Sequence, residues 1–235
     1  MLRLFFTTAL LTLSGLQARA CELALVLAVD VSGSVSADEY RIQMQGLAAA
    51  LRDGVVSEAL VEADARVMLV QWTGDSRQEV SLPWYRIGSF AAADAFARSV
   101  EVAPRAWRHF STAIGEALAV SLTQFTDVPD CRRRVIDVSG DGRSNEGRLP
   151  STMKPALSAA KVTVNALVIE GAEGDLTGYF WENVIWGDGA FAVTANGFND
   201  YPARIREKLL REVAEAMARA PLDPEATQRA GFNPR

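Results

Sequence analysis

The sequence predicts a doubly wound α/β domain, with a mostly parallel six-stranded sheet, helices on both faces and one antiparallel edge strand. Short apolar runs of strand length alternate with longer segments whose apolar residues recur at helical spacing. One of these runs ends in a polar turn followed by a helix-capping sequence, which is typical of the ligand edge of such sheets. With 49% hydrophobic residues in 235 positions, the chain can bury one sizeable core.

The elements follow one another in a regular order. Strands are predicted at 23–29, 65–72, 78–82, 135–139, 162–169 and 190–194. Helices are predicted at 37–53, 89–100, 114–125, 151–161, 176–184 and 205–217. Because only a turn separates the second strand from the third, these two strands form a hairpin. The third strand is therefore antiparallel and is expected at the edge of the sheet.

The N-terminus has the pattern of a secretory signal peptide. A basic start at Arg3 precedes an apolar run that ends in Ala18-Arg19-Ala20. This run is shorter than the roughly 20 residues that a membrane span needs. A lipoprotein anchor at Cys21 is the alternative, but the residues before it are a poor lipidation signal. The expected organisation is a signal peptide at 1–20, a domain at 21–220 and a flexible tail at 221–235, in a protein located in the periplasm or outside the cell.

The charge and the motifs that are absent exclude several classes of function. The formal net charge is −5, and it becomes −7 once the signal removes two arginines. An acidic chain argues against a nucleic-acid partner, so the basic triplet at 132–134 is expected to be the solvated start of a strand. The dinucleotide pattern G-x-G-x-x-G does not follow the first strand, so no nucleotide cofactor is expected. The mature sequence has no further apolar run long enough to span a membrane.

The two cysteines, Cys21 and Cys131, stand at matching positions. Each precedes an apolar strand, and each strand leads to an aspartate, Asp30 or Asp141. If the two strands are parallel neighbours, the cysteines meet at one edge of the sheet and the aspartates at the other. One disulfide and one metal site then follow from the same pairing. Two unpaired thiols are the alternative.

The polar loops after the strands carry oxygen side chains that suit a hard cation such as Mg²⁺. The motifs D-x-S-x-S, S-T-A-I-G-E-A-L and S-G-D-G-R-S-N occur in this order along the chain. They resemble the three loops of the metal-ion-dependent adhesion site of von Willebrand factor type A (vWA) domains. The resemblance covers residues 22–220, and the matching positions are Asp30, Ser32, Ser34, Thr112 and Asp141.

The resemblance implies the role of each ligand. The three hydroxyls would bind the metal directly, and the two aspartates would act mainly through metal-bound waters. Mg²⁺ is the expected ion, with Mn²⁺ or Ca²⁺ as alternatives. Ile114 departs from the family pattern, which has a second threonine there. The segments 21–40 and 135–145 are also similar to an uncharacterised family of secreted bacterial proteins with this fold.

The predicted function is cation-dependent binding of another protein, whose acidic side chain takes an open position on the metal. A metal-dependent hydrolase and a structural scaffold with a vacant site are the alternatives. A hydrolase would depend on His109, the only histidine, because no G-x-S-x-G elbow occurs. Asp137 is expected to be a satisfied buried carboxylate or, alternatively, to support the metal ligands. The five tryptophans are expected mostly in core or loop packing, and Trp107 is the one that could instead lie at the rim of the site.

Overall fold

In a computed structural model, the described residues are 21–171 and 174–218. The predicted signal peptide and C-terminal tail therefore lie outside the described residues. The strands form one sheet in the order β3-β2-β1-β4-β5-β6, in which β3 is antiparallel and the other neighbours are parallel. Their bounds are β1 (Leu23–Asp30), β2 (Arg66–Trp72), β3 (Gln78–Arg86), β4 (Arg133–Gly140), β5 (Val162–Ile169) and β6 (Ala192–Ala195). The predicted fold class is confirmed, including the antiparallel edge strand.

Helices cover both faces of this sheet. Alternate residues of β1 enter two separate apolar clusters, with Leu25 in one and Val26 in the other. The first cluster packs against α1, α2, α3 and α7, and the second packs against α4, α5 and α6. The bounds are α1 (Ala37–Leu51), α2 (Gly54–Glu62), α3 (Phe90–Glu101), α4 (Ile114–Gln124), α5 (Lys154–Ala159), α6 (Leu176–Asn183) and α7 (Tyr201–Ala218). Among the described residues, no helix has the length and apolar character to cross a membrane.

The capping box predicted before α1 is present. Ser36 Oγ accepts from the Glu39 amide at 3.2 Å, and Glu39 Oε2 accepts from the Ser36 amide at 2.7 Å. These reciprocal bonds satisfy two amides that have no partner inside the helix. The chain therefore leaves the polar turn after β1 in one defined direction.

The connection after α1 and the end of β3 differ from the sequence prediction. The predicted helix 37–53 is α1, which ends at Leu51, and a second helix that was not predicted follows it. Asp53 Oδ1 accepts from the amides of Val55 and Val56 and starts this helix at Gly54. Gly54, which directly follows the predicted helix, is therefore the first residue of α2. The third strand was predicted to stop before Pro83, but it continues to Arg86. A proline is tolerated there because β3 is an edge strand.

The parallel pairing of β1 with β4 is as predicted. Leu23 lies opposite Arg133 and Val29 opposite Ser139. At the N-terminal ends of the two strands, Cys21 and Cys131 form a disulfide with a Cα–Cα distance of 4.5 Å. At the C-terminal ends, the same register brings the loops after Asp30 and Gly140 together.

A buried ionic cluster joins α7 to the middle of the sheet. Lys208 Nζ lies 2.6 Å from Asp137 Oδ1 and 3.5 Å from Glu212 Oε2. Asn165 of β5 donates to both oxygens of Glu212, at 2.9 and 2.8 Å. Asp137 is buried as predicted, and its charge is paired with Lys208 of α7, although neither of its oxygens has a hydrogen-bond partner among the described residues.

Candidate metal centre

Asp30, the last residue of β1, lies at the bottom of the candidate site. Its side chain is fully buried, and Oδ1 accepts from the Ser32 amide at 2.7 Å. Gln43 of α1 donates to the Asp30 carbonyl at 3.1 Å and holds the backbone in place. The second oxygen, Oδ2, is buried without a hydrogen bond to any described residue. A buried carboxylate oxygen in this state needs a further positive or donating group.

Two hydroxyls and a second carboxylate continue from Asp30 towards the surface. The Oγ atoms of Ser32 and Ser34 are 3.1 Å apart, and Ser34 Oγ donates to Asp141 Oδ1 at 2.7 Å. Ser32 is buried, whereas Ser34 is exposed. The row of oxygens therefore runs from the interior to solvent.

Thr112 completes the set of predicted ligands. It is buried just before α4, and a methyl group placed on Gly142 would lie 3.7 Å from its Oγ1. A methyl group on Gly140 would lie 3.3 Å from Asp30 Oδ2. The loop after β4 therefore lies between Asp30 and Thr112. The structure brings all five predicted residues to one edge of the sheet.

The third loop positions the second one. Asn145 Oδ1 accepts from the Thr112 amide at 2.9 Å, and the Asn145 amide donates to the Thr112 carbonyl at 2.9 Å. Ser144 Oγ accepts from the amide of Ile114 at 3.1 Å. Ile114 itself is fully buried in the apolar core, so at this position the chain uses an apolar anchor where the vWA pattern has threonine.

Sequence reasoning missed two residues that hold the first loop. Arg105 Nη2 donates to the carbonyls of Val31 and Ser32, at 2.9 and 2.8 Å. Gln71, buried in β2, donates to the Pro104 carbonyl at 2.8 Å and accepts from the Ala106 amide at 3.0 Å. The amide side chain in an otherwise apolar strand was the available signal for Gln71. Nothing in the local pattern singles out Arg105.

The electrostatics of the site favour a bound cation. The pKa of Asp30 is raised to about 7, first by burial and then by the neighbouring Asp141 carboxylate, while interactions with Ser32 and with the Asp141 backbone amide partly oppose the rise. Among the described residues there is no group of three or more His, Cys, Asp or Glu that could hold a metal. The donor set is therefore hydroxyls with two carboxylates. Such oxygens fit a hard divalent ion better than a metal that prefers nitrogen or sulfur.

Of the two interpretations of Trp107, core packing is the one that the structure shows. Trp107 is half-buried and packs against the core, so it is not a free rim residue. The exposed aromatic residue nearby is Phe110, and the Arg77 guanidinium lies 4.0 Å from its ring centroid. His109 is exposed, with a backbone φ of 62°, and its side chain makes no hydrogen bond with a described residue. No described contact orients this imidazole as a base.

Comparison with known proteins places the chain in a family. The family described as "Protein of unknown function (DUF1194)" matches residues 20–217. The chain belongs to the DUF1194 family. No curated protein matches the sequence of this DUF1194 chain.

Solved structures show which fold the DUF1194 chain shares. Proximal thread matrix protein 1 (PTMP1) from the mussel byssus is 18% identical with a TM-score of 0.63, and the match covers 84% of this chain and 49% of that chain. A von Willebrand factor type A protein from Catenulispora acidiphila is 21% identical, with a TM-score of 0.57 and coverage of 83% and 43%. The pilus adhesin SpaC from Lactobacillus rhamnosus GG is 16% identical, with a TM-score of 0.60 and coverage of 85% and 31%.

These likenesses establish the vWA fold of the DUF1194 chain, as the resemblance of the three loops predicted. The chain spans less than half the length of each of these three proteins. At such low identity the comparison supports the fold alone.

Proposed function

We propose that this DUF1194 protein binds another protein through a divalent cation at the edge of the sheet. The observation that carries the proposal is the buried oxygen Asp30 Oδ2, which has no hydrogen-bond partner among the described residues and lies beside hydroxyls and a second carboxylate. A cation would supply the missing positive charge. The residues that would hold it are Asp30, Ser32, Ser34, Thr112 and Asp141.

Magnesium is the proposed ion, with Mn²⁺ or Ca²⁺ as alternatives. The two aspartates supply charge, and the three hydroxyls supply neutral oxygens, which matches the small number of carboxylates with which proteins usually hold Mg²⁺. When bound, the ion supplies an electrophilic position for an oxygen ligand from outside. One structure of PTMP1 is described as having zinc in its metal-ion-dependent adhesion site (MIDAS) motif, which supports the binding of a divalent ion by this fold.

The surroundings support an acidic ligand that binds only when the metal is present. A cavity of about 330 Å³ lies beside the site, and its lining includes Ser34, Glu39, Asp141 and Glu170. Without a cation these acidic side chains repel a carboxylate, whereas a bound cation balances Asp30 and Asp141 and offers a coordination position that attracts one. The partner is therefore expected to contribute an Asp or Glu side chain and to bind only the metal-loaded protein.

The predicted export fits this function. A disulfide forms and persists in an oxidising compartment, and Cys21–Cys131 is present. Binding is proposed rather than hydrolysis because general base catalysis needs a positioned side chain. His109 is exposed and makes no hydrogen bond with a described residue.

The test uses Mn²⁺ as a paramagnetic probe of the mature chain. Water proton relaxation reports both Mn²⁺ binding and the number of exchangeable waters on the bound ion. We expect saturable enhancement with the wild type, and a decrease when a peptide with one free Asp side chain is added. The same peptide with Asn should have no effect, since an amide replaces a hydration water on a hard cation less readily than a carboxylate does.

The variant Asp30→Asn tests the site, and Asp38→Asn is its matched control. Asp38 is an exposed carboxylate on α1 that lies close to Asp30 in the sequence. It is paired with Arg41 at 3.0 Å. Enhancement should be lost in Asp30→Asn and kept in Asp38→Asn. Equal enhancement in both variants would show that Mn²⁺ binds elsewhere. Enhancement without any response to the Asp peptide would leave the metal site standing and refute the carboxylate mechanism.

A further inference from the structure

A second cavity lies at the opposite end of the sheet. A cavity of about 770 Å³ opens where β4 and β5 begin, and α5, α6 and the connection before β6 supply its other walls. Because β4 has eight residues, this cavity is about 25 Å from the metal centre at the other end of the strand. The residues that define it are Arg132, Arg134, Lys154, Lys161, Trp181 and Trp186.

The lining accumulates positive charge in a chain whose net charge is −5. Arg134, Lys154 and Lys161 form no ion pair with a described residue. The guanidinium of Arg134 donates to the carbonyls of Ala160 and Pro129, and Lys154 donates to the carbonyl of Glu182. Carbonyls orient these cations but do not neutralise them.

Two further charges of the lining are already balanced, so they add little. Arg132 lies 3.5 Å from Glu22, and Arg133 is paired with the buried Glu212 at 3.4 Å. Asp188, the acidic residue of the lining, is itself engaged with another group of the protein. The excess positive charge therefore comes from the three cations that have no ion-pair partner. The Nε of Arg134 is in addition buried without a hydrogen-bond partner among the described residues.

Aromatic rings form the other wall. Trp181 is 50% exposed, although large apolar side chains are normally covered. Trp186 is held by its Nε1, which donates to Ser158 Oγ at 3.0 Å, and Lys154 Nζ lies 5.3 Å from its ring centroid. An indole face beside ammonium groups offers both a stacking surface and charge.

The wall carrying Trp186 is built into the fold. The Trp186 backbone exchanges hydrogen bonds with Val164 of β5, at 2.7 and 3.2 Å. Gly187 follows with a φ of +102°, and a methyl group there would lie 3.0 Å from the Cα of Thr163. A residue with a side chain would be strained at this position and would push the loop away from β5. The cavity is therefore pre-formed, which lowers the cost of binding.

We propose that this cavity binds an organic anion, in which a phosphate, sulfate or carboxylate group is attached to a flat ring. Guanidinium and ammonium groups recognise oxyanions by charge-assisted hydrogen bonds, and the indoles provide the surface on which a ring stacks. A neighbouring cavity of about 300 Å³ shares Arg132, Arg134 and Lys161, so the basic surface extends beyond the ring-binding wall. The proposal is independent of the metal centre, because none of its residues belongs to the metal site.

The experiment titrates phenyl phosphate into the mature protein in EDTA and follows tryptophan fluorescence and heat of binding. Inorganic phosphate tests the anion without the ring, and benzyl alcohol tests the ring without the anion. Benzoate and phenyl sulfate then show which anionic group is preferred. We expect saturation by phenyl phosphate at millimolar concentration or below, inorganic phosphate to bind at least about fivefold more weakly, and benzyl alcohol not to saturate.

Variants locate the binding. The pair Arg134→Gln and Lys161→Asn removes two cations, and asparagine tolerates the φ of 54° at position 161. This double variant should raise the Kd for phenyl phosphate at least about tenfold. Trp181→Ala, which changes an exposed side chain, should weaken the binding of phenyl phosphate but not the binding of inorganic phosphate. The matched control is Arg41→Gln with Arg98→Gln, two exposed arginines on other helices, which should leave the Kd unchanged.

Three results would overturn the proposal. One is the absence of saturable binding of any of the three ring-bearing anions up to about 10 mM. Another is an unchanged Kd in a folded Arg134→Gln and Lys161→Asn variant. The third is equal affinity for phenyl phosphate and inorganic phosphate, which would show that the ring contributes nothing to binding.

Discussion

The hydroxyl of Ser34 donates to Asp141 Oδ1 at 2.7 Å, although 107 positions separate the two residues in the sequence. This bond joins the loop after β1 to the loop after β4. The two loops follow neighbouring parallel strands, so the pairing of the strands brings them together. A site whose parts already touch needs little rearrangement to take a ligand.

Ser34→Ala should weaken divalent-cation binding about tenfold or more, because it removes a proposed ligand and the donor to Asp141. The free energy of unfolding should change little, since Ser34 is exposed. The measurement is Mg²⁺ titration calorimetry. Ser99→Ala, an exposed serine on α3, is the matched control and should bind Mg²⁺ as the wild type does. Equal affinity in Ser34→Ala would exclude this hydroxyl as a ligand.

Gly115→Ala should disturb the site from the start of α4. A methyl group at Gly115 would overlap the carbonyl oxygen of Arg148, in the segment after the third loop. Relief requires a backbone shift, so the variant should lose about 1–3 kcal/mol of stability and also bind the cation more weakly. Gly54→Ala, at a position with open space around it, is the control for the loss of a glycine. A Gly115→Ala protein with unchanged unfolding and binding would contradict the close contact.

The buried cluster under α7 should produce a pH-dependent stability that Asp137→Asn removes. The pKa of Asp137 is raised from 3.8 to about 6, mainly by burial, because Lys208 opposes burial only in part and Glu212 adds to the rise. The folded protein therefore binds this proton more tightly than the unfolded chain. The stability contributed by this group is full below about pH 4 and is lost as the pH rises through about 6. Tyr201 and Arg133 also face the cluster.

The measurement is urea unfolding of wild type and Asp137→Asn between pH 4 and 7. Relative to the variant, the wild type should lose about 2–3 kcal/mol as the pH rises over this range, with most of the loss between pH 4 and 6. A difference that grows in favour of the wild type as the pH rises would mean that Lys208 dominates burial at this carboxylate.

Removing the disulfide should destabilise the fold without weakening the metal site. The bond closes a segment in which 110 positions separate Cys21 from Cys131, so the double variant with both cysteines changed to alanine should lose about 2–5 kcal/mol. Cation affinity should stay the same, because the disulfide and the aspartates lie at opposite ends of β1 and β4. Unfolding by urea and Mg²⁺ titration check the two halves of this prediction. A loss of affinity equal to that of Ser34→Ala would contradict it.

Much of the fold could be predicted because the signals are local. Apolar runs define the strands, and the short turn after Trp72 makes β3 antiparallel. The matching positions of the cysteines and aspartates predicted the pairing of β1 with β4. The second helix was missed for a local reason as well: Gly54 suggests a helix end, while the preceding Asp53 is a strong cap, and the cap prevails.

The supporting residues of the site could not be predicted because their partners are backbone groups far away in sequence. Arg105 donates to carbonyls more than 70 positions earlier, and a carbonyl carries no sequence signal. Lys208 and Asp137 meet only after α7 packs on the sheet. The basic cavity could not be predicted for the same reason. Lys154 and Lys161 lie near Arg134 only because the turn from α5 into β5 places β5 beside β4.

The most direct test of the metal site is thermal unfolding of the mature, oxidised protein in EDTA and in Mg²⁺, with Asp30→Asn beside the wild type. At about 100 times its Kd, a ligand of the folded state adds about 2.7 kcal/mol, which corresponds to about 5–10 °C for a domain of this size. The account predicts this rise in the wild type and no rise in Asp30→Asn. No response to Mg²⁺, Mn²⁺ or Ca²⁺ in the wild type, or an equal rise in both proteins, would contradict a cation site built on Asp30.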